Sequence, residues 1–159
     1  MKPKFTILFF LFLSAIGYSQ ESVYVKGKNY KGYIFSKDYS MFGIIGQENG
    51  RYTPTLSDIH NIESILRDSI DYIRVNQTMM EKDGTLIYKN LKKYKRQYMG
   101  YINQKGERVI WINFFKDYKG PHEISNDIIV MLDGGSNYWS ICVNLDKRKL
   151  FDMQVNGTS

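Results

Sequence analysis

The stretch YKRQYMGYINQKGERVIWINFF, residues 94–115, decides the fold because it predicts a long β-hairpin. Aromatic and β-branched residues, which favour strands, fill both of its halves. Between the halves, the turn Asn103-Gln-Lys-Gly106 places glycine where a hairpin needs a positive φ. We therefore expect residues 94–103 and 107–116 to pair as antiparallel strands.

The second strand of this hairpin is apolar on both of its faces. Alternation places Val109, Trp111 and Phe115 on one face, and Ile110, Ile112 and Phe114 on the other. Such a strand is covered on both sides, or it lines a ligand groove. Asn113 lies on the Trp111 face, where it either finds hydrogen-bond partners in the core or orients a ligand.

One amphipathic helix is predicted upstream of the hairpin. Its apolar residues recur at helical spacing within an arc of about 120°, and they are Leu56, Ile59, Ile62, Leu66, Ile70 and Ile73. Pro54 and the capping-box pattern Thr55-Leu-Ser-Asp58 mark its start. We expect this helix to run to about Asn76 and to pack on a sheet.

Short β-rich segments lie on both sides of the helix and hairpin. Residues 22–52 alternate such segments with turn residues and predict two or three short strands. Residues 126–135, 138–145 and 150–157 predict further strands, the last with Phe151, Met153 and Val155 facing inward. The whole pattern predicts an α+β fold: one amphipathic helix packed on an antiparallel meander sheet, preceded by two or three short N-terminal strands.

The first 19 residues have the pattern of a secretory signal peptide. Lys2 and Lys4 precede an apolar run from Phe5 to Leu13, and small residues Gly17 and Ser19 follow at the spacing a signal peptidase accepts. This run is shorter than the ~20 residues that a membrane-spanning helix needs. We therefore predict cleavage after Ser19, a single domain at residues 20–159, no remaining membrane anchor, and a periplasmic or secreted location.

The charge of the mature chain is mildly basic. Loss of the two signal-peptide lysines lowers the formal net charge from +6 to +4. The lysines of residues 89–95 alternate with Tyr88, Tyr94 and Tyr98, which is one way to bind single-stranded nucleic acid. A lysine-rich strand edge also prevents aggregation, and a modest net charge with export argues against nucleic acid as the partner. The one cysteine, Cys142, predicts a half-buried core residue rather than a nucleophile.

Three motifs resemble a family of small secreted proteins of Gram-negative bacteria that has no assigned function. They are Tyr52-Thr-Pro-Thr-x-x-Asp58-Ile-x-x-x-Glu63, Tyr94-x-Arg-Gln-Tyr98-x-Gly-Tyr-Ile102 and Asp133-Gly-Gly-x-x-Tyr138, and the likeness spans residues 50–157. The order of helix and meander is similar to cystatin-like and nuclear-transport-factor-like folds. This likeness implies an architecture and no activity, and the inhibitory Gln-Val-Gly loop of cystatins is absent. The turn Asp146-Lys-Arg-Lys149 departs from the pattern because it lacks the glycine expected there.

Titratable residues concentrate in two places. On the helix, His60 and Glu63 form a possible acid/base pair steadied by Arg67, or Glu63 and Arg67 form an exposed ion pair. The loop at residues 117–127 contains an adjacent His122 and Glu123, a spacing that does not chelate a metal ion. We therefore predict no metal site and no cofactor, and we expect this loop to be a solvated connection.

These patterns predict an exported, non-catalytic binding domain. The expected partner is a protein, a glycan or a small apolar ligand, and aromatic side chains supply most of the contact area. The candidate contact residues are Arg96, Tyr98, Trp111, Asn113 and Tyr138. The alternative is a small hydrolase or isomerase that uses Glu63, with His60, in a pocket between helix and sheet.

Overall fold

The computed structural model describes residues 22–39, 49–80 and 86–157 of the chain, so the predicted signal peptide lies outside the described residues. The strands are β1 (Ser22–Lys26), β2 (Lys31–Phe35), β3 (Arg51–Tyr52), β4 (Lys95–Ile102), β5 (Arg108–Phe115), β6 (Tyr138–Asn144) and β7 (Lys149–Val155). The helices are α1 (Leu56–Asp68), α2 (Ile70–Met80) and α3 (Ile87–Asn90), and 3-10 turns occupy Leu91–Lys93 and Gly135–Asn137.

The strands form one mixed, mostly antiparallel sheet in the order β1-β2-β4-β5-β6-β7. Strands β4 to β7 are the predicted antiparallel meander. The N-terminal pair joins it through a parallel contact between β2 and β4, and β3 pairs with the other half of β4. The α+β fold predicted from the sequence, with its short N-terminal strands, is therefore confirmed.

The central hairpin has the predicted register. Strands β4 and β5 pair from Lys95 opposite Phe115 to Ile102 opposite Arg108. Gly106 has a φ of 77°, and Asn103 Oδ1 accepts hydrogen bonds from the backbone N–H groups of Lys105 and Glu107, both at 2.9 Å. The asparagine and the glycine together fix the turn, as the sequence predicts.

Strand β5 is covered on both sides, as its two apolar faces require. On one face of the sheet, here called the helix face, Ile110, Ile112 and Phe114 pack in the cluster that includes the buried residues of α1. On the opposite face, here called the back face, Val109 and Trp111 pack in a second cluster with residues of β2, β4 and β6. Cys142 belongs to this second cluster and is 4 % exposed, so it is more deeply buried than the half-buried residue predicted from the sequence.

The predicted helix starts where expected but is not continuous. The Thr55 side chain accepts a hydrogen bond from Asp58 N, and the Asp58 carboxylate accepts one from Thr55 N, which completes the capping box. Ser69 leaves the helical conformation (φ −108°, ψ 29°), so α1 ends there and α2 follows. Leu56, expected to be buried, is 63 % exposed. No helix among the described residues is both long and apolar enough to cross a membrane.

Residues 126–135 do not form the predicted strand. The segment crosses the back face, where the Gln97 and Asn113 amides bind its backbone at Asp127 and Ile129, and Gln97 also binds Ile124 just before it. Both edges of the neighbouring strand β5 are already paired, with β4 and with β6, so no place remains for another strand beside it. The segment therefore covers the sheet instead of extending it, with Ile129 buried and Val130 and Leu132 exposed.

Strand β7 also differs from the prediction, because it contains a β-bulge. Ser140 pairs with Gln154 but Cys142 pairs with Phe151, so two residues of β7 lie opposite Ile141. The extra residue is Asp152, with a φ of 50°. Phe151 is consequently turned outward and is 37 % exposed, while Leu150 and Met153 face the core.

We predict that Arg148→Gly stabilises the protein. In the turn that lacks the expected glycine, Arg148 has a φ of 51°. This left-handed conformation is unfavourable for any residue with a Cβ atom and nearly free of cost for glycine. Urea unfolding is expected to show a gain of about 0.5–1 kcal/mol in the free energy of unfolding. The matched control is Lys147→Gly, because each variant loses one ion pair, Lys147 with Glu107 or Arg148 with Asp68, but only Arg148 has a positive φ. An equal gain in both variants would contradict this explanation.

Candidate functional site

A pocket of about 330 Å³ opens on the helix face, between α1, the start of α2, α3 with its following 3-10 turn, and β4. We call it the Glu63 pocket. Its residues are Asn29, Glu63, Leu66, Arg67, Ile70, Tyr88, Lys89, Leu91, Lys92 and Arg96. The capped helix α1 and the central strand β4 thus each contribute one buried charged side chain, Glu63 and Arg96.

Glu63 and Arg96 form a buried ion pair at this pocket. Arg96 Nε lies 2.9 Å from Glu63 Oε1, and the two side chains are 2 % and 4 % exposed. The Nε–H bond does not point at the carboxylate, so the contact is electrostatic rather than a hydrogen bond. The Tyr98 hydroxyl donates a hydrogen bond of 2.9 Å to the same oxygen. Glu63 Oε2 has no hydrogen-bond partner among the described residues.

The Arg96 guanidinium is held in place by the backbone. Its two terminal nitrogens donate to the carbonyl oxygens of Tyr94, at 3.1 Å, and Leu91, at 3.2 Å. It also lies over the Phe114 ring, 5.1 Å from the centroid. A guanidinium has more N–H groups than these contacts use, so Arg96 retains donors for a further anion.

Burial changes the acidity of the groups around this ion pair. Removal from water raises the pKa of Glu63 above its ordinary value, while Arg96, the Tyr98 hydrogen bond and Arg67 lower it in part. Burial and the adjacent Glu63 raise the pKa of Tyr98 well above its ordinary value. Glu63 therefore holds a proton at higher pH than an exposed carboxyl group, and Tyr98 stays neutral.

Neither interpretation of the helix residues has the predicted geometry. His60 is exposed, and no described residue forms a hydrogen bond or an ion pair with it. The predicted exposed pair of Glu63 with Arg67 is wrong, because Glu63 points into the core toward Arg96 of β4. Arg67 is exposed at the pocket mouth and acts on Glu63 only through its charge.

The five predicted contact residues lie on opposite faces of the sheet. Arg96 and Tyr98 are buried on the helix face beside Glu63. Trp111, Asn113 and Tyr138 lie on the back face, where they line a separate cleft of about 160 Å³. The sheet separates the two groups, so they cannot contact one small ligand together.

In the basic run at residues 88–98, two of the three tyrosines are buried in the core. Tyr94 and Tyr98 are fully buried, and the Tyr94 hydroxyl donates a hydrogen bond of 2.7 Å to the Ser136 carbonyl oxygen. Lys89 and Lys92 instead line the Glu63 pocket from a short helical turn. Their spacing of three residues is the sequence signal for this arrangement, but only the fold shows which cavity they face.

The loop at residues 117–127 is less solvated than predicted. Its Ile124 and Asp127 carbonyl oxygens accept hydrogen bonds from the buried Gln97 amide. His122 Nδ1 lies 3.5 Å from the Asp127 carboxylate, and both side chains are largely exposed. Within the described ranges, no three His, Cys, Asp or Glu side chains come together as a metal ion would require.

Comparisons with models of known protein families, with curated proteins and with solved structures gave no match. The resemblance to a family of small secreted proteins therefore stays a prediction, as does the likeness to cystatin-like and nuclear-transport-factor-like folds. The chemistry of the site rests on the residues of this chain.

We predict that Arg96→Met destabilises the fold in a pH-dependent way. Without Arg96, Glu63 is a buried carboxylate with no close counter-charge, which costs about 3–5 kcal/mol near neutral pH. Its folded pKa, already raised, rises further, so protonation relieves the cost at low pH, and stability falls as the pH rises through that pKa. Urea unfolding at pH 5 and pH 8 measures both effects.

The control for this experiment is the double variant Glu63→Met/Arg96→Met. It removes both charges and is expected to recover most of the lost stability, because an apolar pair often replaces a buried ion pair at little cost. A loss in Arg96→Met that is equal at the two pH values, or a double variant as unstable as the single one, would contradict the ion pair.

Proposed function

We propose that this chain is an exported binding domain that holds a small ligand with an anionic group in the Glu63 pocket. The observation that carries the proposal is the charge of this pocket. Among the described residues, four basic side chains line it, namely Arg67, Lys89, Lys92 and Arg96, against the one carboxylate of Glu63. A concave site with an excess of one charge attracts ligands of the opposite charge.

The walls of the pocket favour a ligand that also has an apolar part. Leu66, Ile70 and Leu91 line it beside the charged groups. Its volume of about 330 Å³ is near the lower end of ordinary small-molecule sites. A medium-chain carboxylate has both features, because its head group can meet Arg96 and the lysines while its chain packs on the aliphatic wall.

Among the partners expected from the sequence, this pocket favours a small ligand over a protein, a glycan or a nucleic acid. The tyrosines that would stack on bases are in the core. Arg96 supplies charge, as predicted, whereas Tyr98 acts beneath it by orienting Glu63. Export is proposed from the sequence of residues 1–19, and it would give the pocket access to periplasmic or extracellular solutes.

The test is a titration of residues 20–159 with octanoate, in which binding is monitored through amide chemical shifts in NMR. We expect shifts at Leu66, Ile70 and Leu91, weaker binding of octan-1-ol, and loss of affinity with added salt. Lys89→Gln/Lys92→Gln is expected to weaken octanoate binding by about fivefold, since each partly exposed cation contributes a few tenths of a kcal/mol to 1 kcal/mol.

Lys93→Gln is the matched control, because Lys93 is an exposed lysine of the same run that does not line the pocket. It is expected to change the affinity less than twofold. No binding of octanoate, equal binding of octan-1-ol, or equal effects of the two sets of lysine variants would each contradict the proposal.

A second candidate function, a hydrolase or isomerase, is favoured by the state of Glu63. Its pKa is raised by burial, and Oε2 has no hydrogen-bond partner among the described residues, so it could donate or accept a proton in the pocket. His60 takes no part, because it lies outside the pocket.

If Glu63 is an acid or base, a panel of small esters and enolisable ketones is expected to include a substrate whose pH–rate profile has a limb at the Glu63 pKa. Glu63→Gln keeps an oxygen that can accept from Tyr98 but cannot exchange a proton, so turnover is expected to fall at least a hundredfold. Activity that keeps its pH profile in Glu63→Gln would exclude this role.

A further inference from the structure

A second cleft lies on the back face, on the other side of the sheet from the Glu63 pocket. It has a volume of about 160 Å³ and lies between the segment at residues 129–131 and strands β5, β6 and β7. Trp111, Asn113, Tyr138 and Ser140 contribute to its lining. Its chemistry is set by two buried amide side chains.

The first amide, Gln97, has an orientation that backbone carbonyl groups determine. Its Nε2 donates to the carbonyl oxygens of Ile124, at 3.0 Å, and Asp127, at 2.6 Å. A carbonyl oxygen only accepts, so the atom that faces these two must be the nitrogen. Gln97 Oε1 therefore faces the other way, where it accepts from Ile129 N at 3.0 Å.

The second amide, Asn113, is fixed in turn by the first. Its Nδ2 donates to Gln97 Oε1, at 3.1 Å, and to the Ile129 carbonyl oxygen, at 2.8 Å. Both amide hydrogens are used, and a flipped amide would place two acceptors against each other. Asn113 is 8 % exposed and lines the cleft, and its Oδ1 has no hydrogen-bond partner among the described residues. The cleft thus contains an oriented acceptor that is open to a donor from outside the chain.

The remaining walls of the cleft favour a cation. The Trp111 and Tyr138 rings can contact alkyl groups and positive charge. Burial raises the pKa of Tyr138, and the nearby Tyr118, Asp117 and Asp133 raise it further, so two of its neighbours are acidic residues.

Lys116, a basic residue three positions after Asn113, points away from this cleft. The Lys116 ammonium lies 5.2 Å from the centroid of Tyr94, whose ring packs in the cluster on the helix face. The Lys116 ammonium therefore does not face the cleft.

We propose that this cleft binds a primary ammonium group on a short alkyl chain. One ammonium N–H donates to Asn113 Oδ1, the positive charge lies near Asp117 and Asp133, and the methylene groups contact Trp111. The same group occurs in a free alkylamine and at the end of a lysine side chain, and the cleft is small enough to hold only such a terminal group.

The test is an NMR titration of residues 20–159 in which the Trp111 indole N–H and the Asn113 side-chain amide are followed. n-Butylammonium is expected to shift both signals. Tetramethylammonium, which has charge but no N–H donor, and butan-1-ol, which has no charge, are expected to bind at least threefold more weakly. The capped lysine derivative N-acetyl-lysine methylamide distinguishes the sources: binding equal to that of butylammonium indicates a polypeptide side chain, and much weaker binding indicates a free amine.

Asp133→Asn tests the charge without touching the buried amides, because Asp133 is exposed and its backbone oxygen makes the contact to Asn156. It is expected to weaken butylammonium binding about threefold. Glu123→Gln, an exposed acid of the same loop that does not act on Tyr138 as Asp133 does, is the control and is expected to leave the affinity unchanged. No shift with butylammonium, equal binding of butan-1-ol or tetramethylammonium, or equal effects of the two variants would overturn the proposal. Each result is independent of octanoate binding on the other face.

Discussion

Strand β5 is apolar on both faces, and the rest of the structure depends on covering it twice. Helix α1 covers the helix face, and the back face is covered by the loop between β5 and β6. A loop carries many more unpaired backbone groups than a helix, so it can lie on a sheet only where buried polar side chains satisfy them. Gln97 and Asn113 do this, which explains two amides in an otherwise apolar region.

The helix face differs from the back face because it contains a buried charge, which needs a counter-charge. Arg96 shares one face of β4 with Tyr98, opposite Gln97, and therefore points under the helix, where a lone cation would be costly. Glu63 from α1 neutralises it, so the pair also selects the register in which α1 lies on the sheet. The two charged side chains lie together in the wall of the Glu63 pocket, beside Leu66, Ile70 and Leu91.

The features predicted from sequence are those that short-range patterns determine. Asn103 and Gly106 define the hairpin, and Thr55 with Asp58 defines the start of α1, because each pattern satisfies hydrogen bonds within a few residues. The break at Ser69 and the bulge at Asp152 have no comparable local signal. The segment at residues 126–135 has the continuous apolar run of a buried strand, but whether such a run can pair with a sheet edge depends on the pairing of the whole sheet.

The candidate site likewise depends on long-range contacts that sequence patterns do not show. Glu63 was identifiable as a titratable residue on the helix, but the spacing to Arg67 pointed to a surface pair, whereas its partner lies 33 positions along the chain on β4. Likewise, alternation placed Trp111 and Asn113 on one face correctly, yet it gave no means of seeing that Arg96 and Tyr98 belong to the other. A list of contact residues chosen by residue type mixes side chains from the two faces of a sheet. The faces can be separated only when it is known which residues of each strand point toward the helix. Because neighbouring residues of β4 serve the two faces, Arg96 toward Glu63 and Gln97 toward the loop, this one strand determines the position of both cavities.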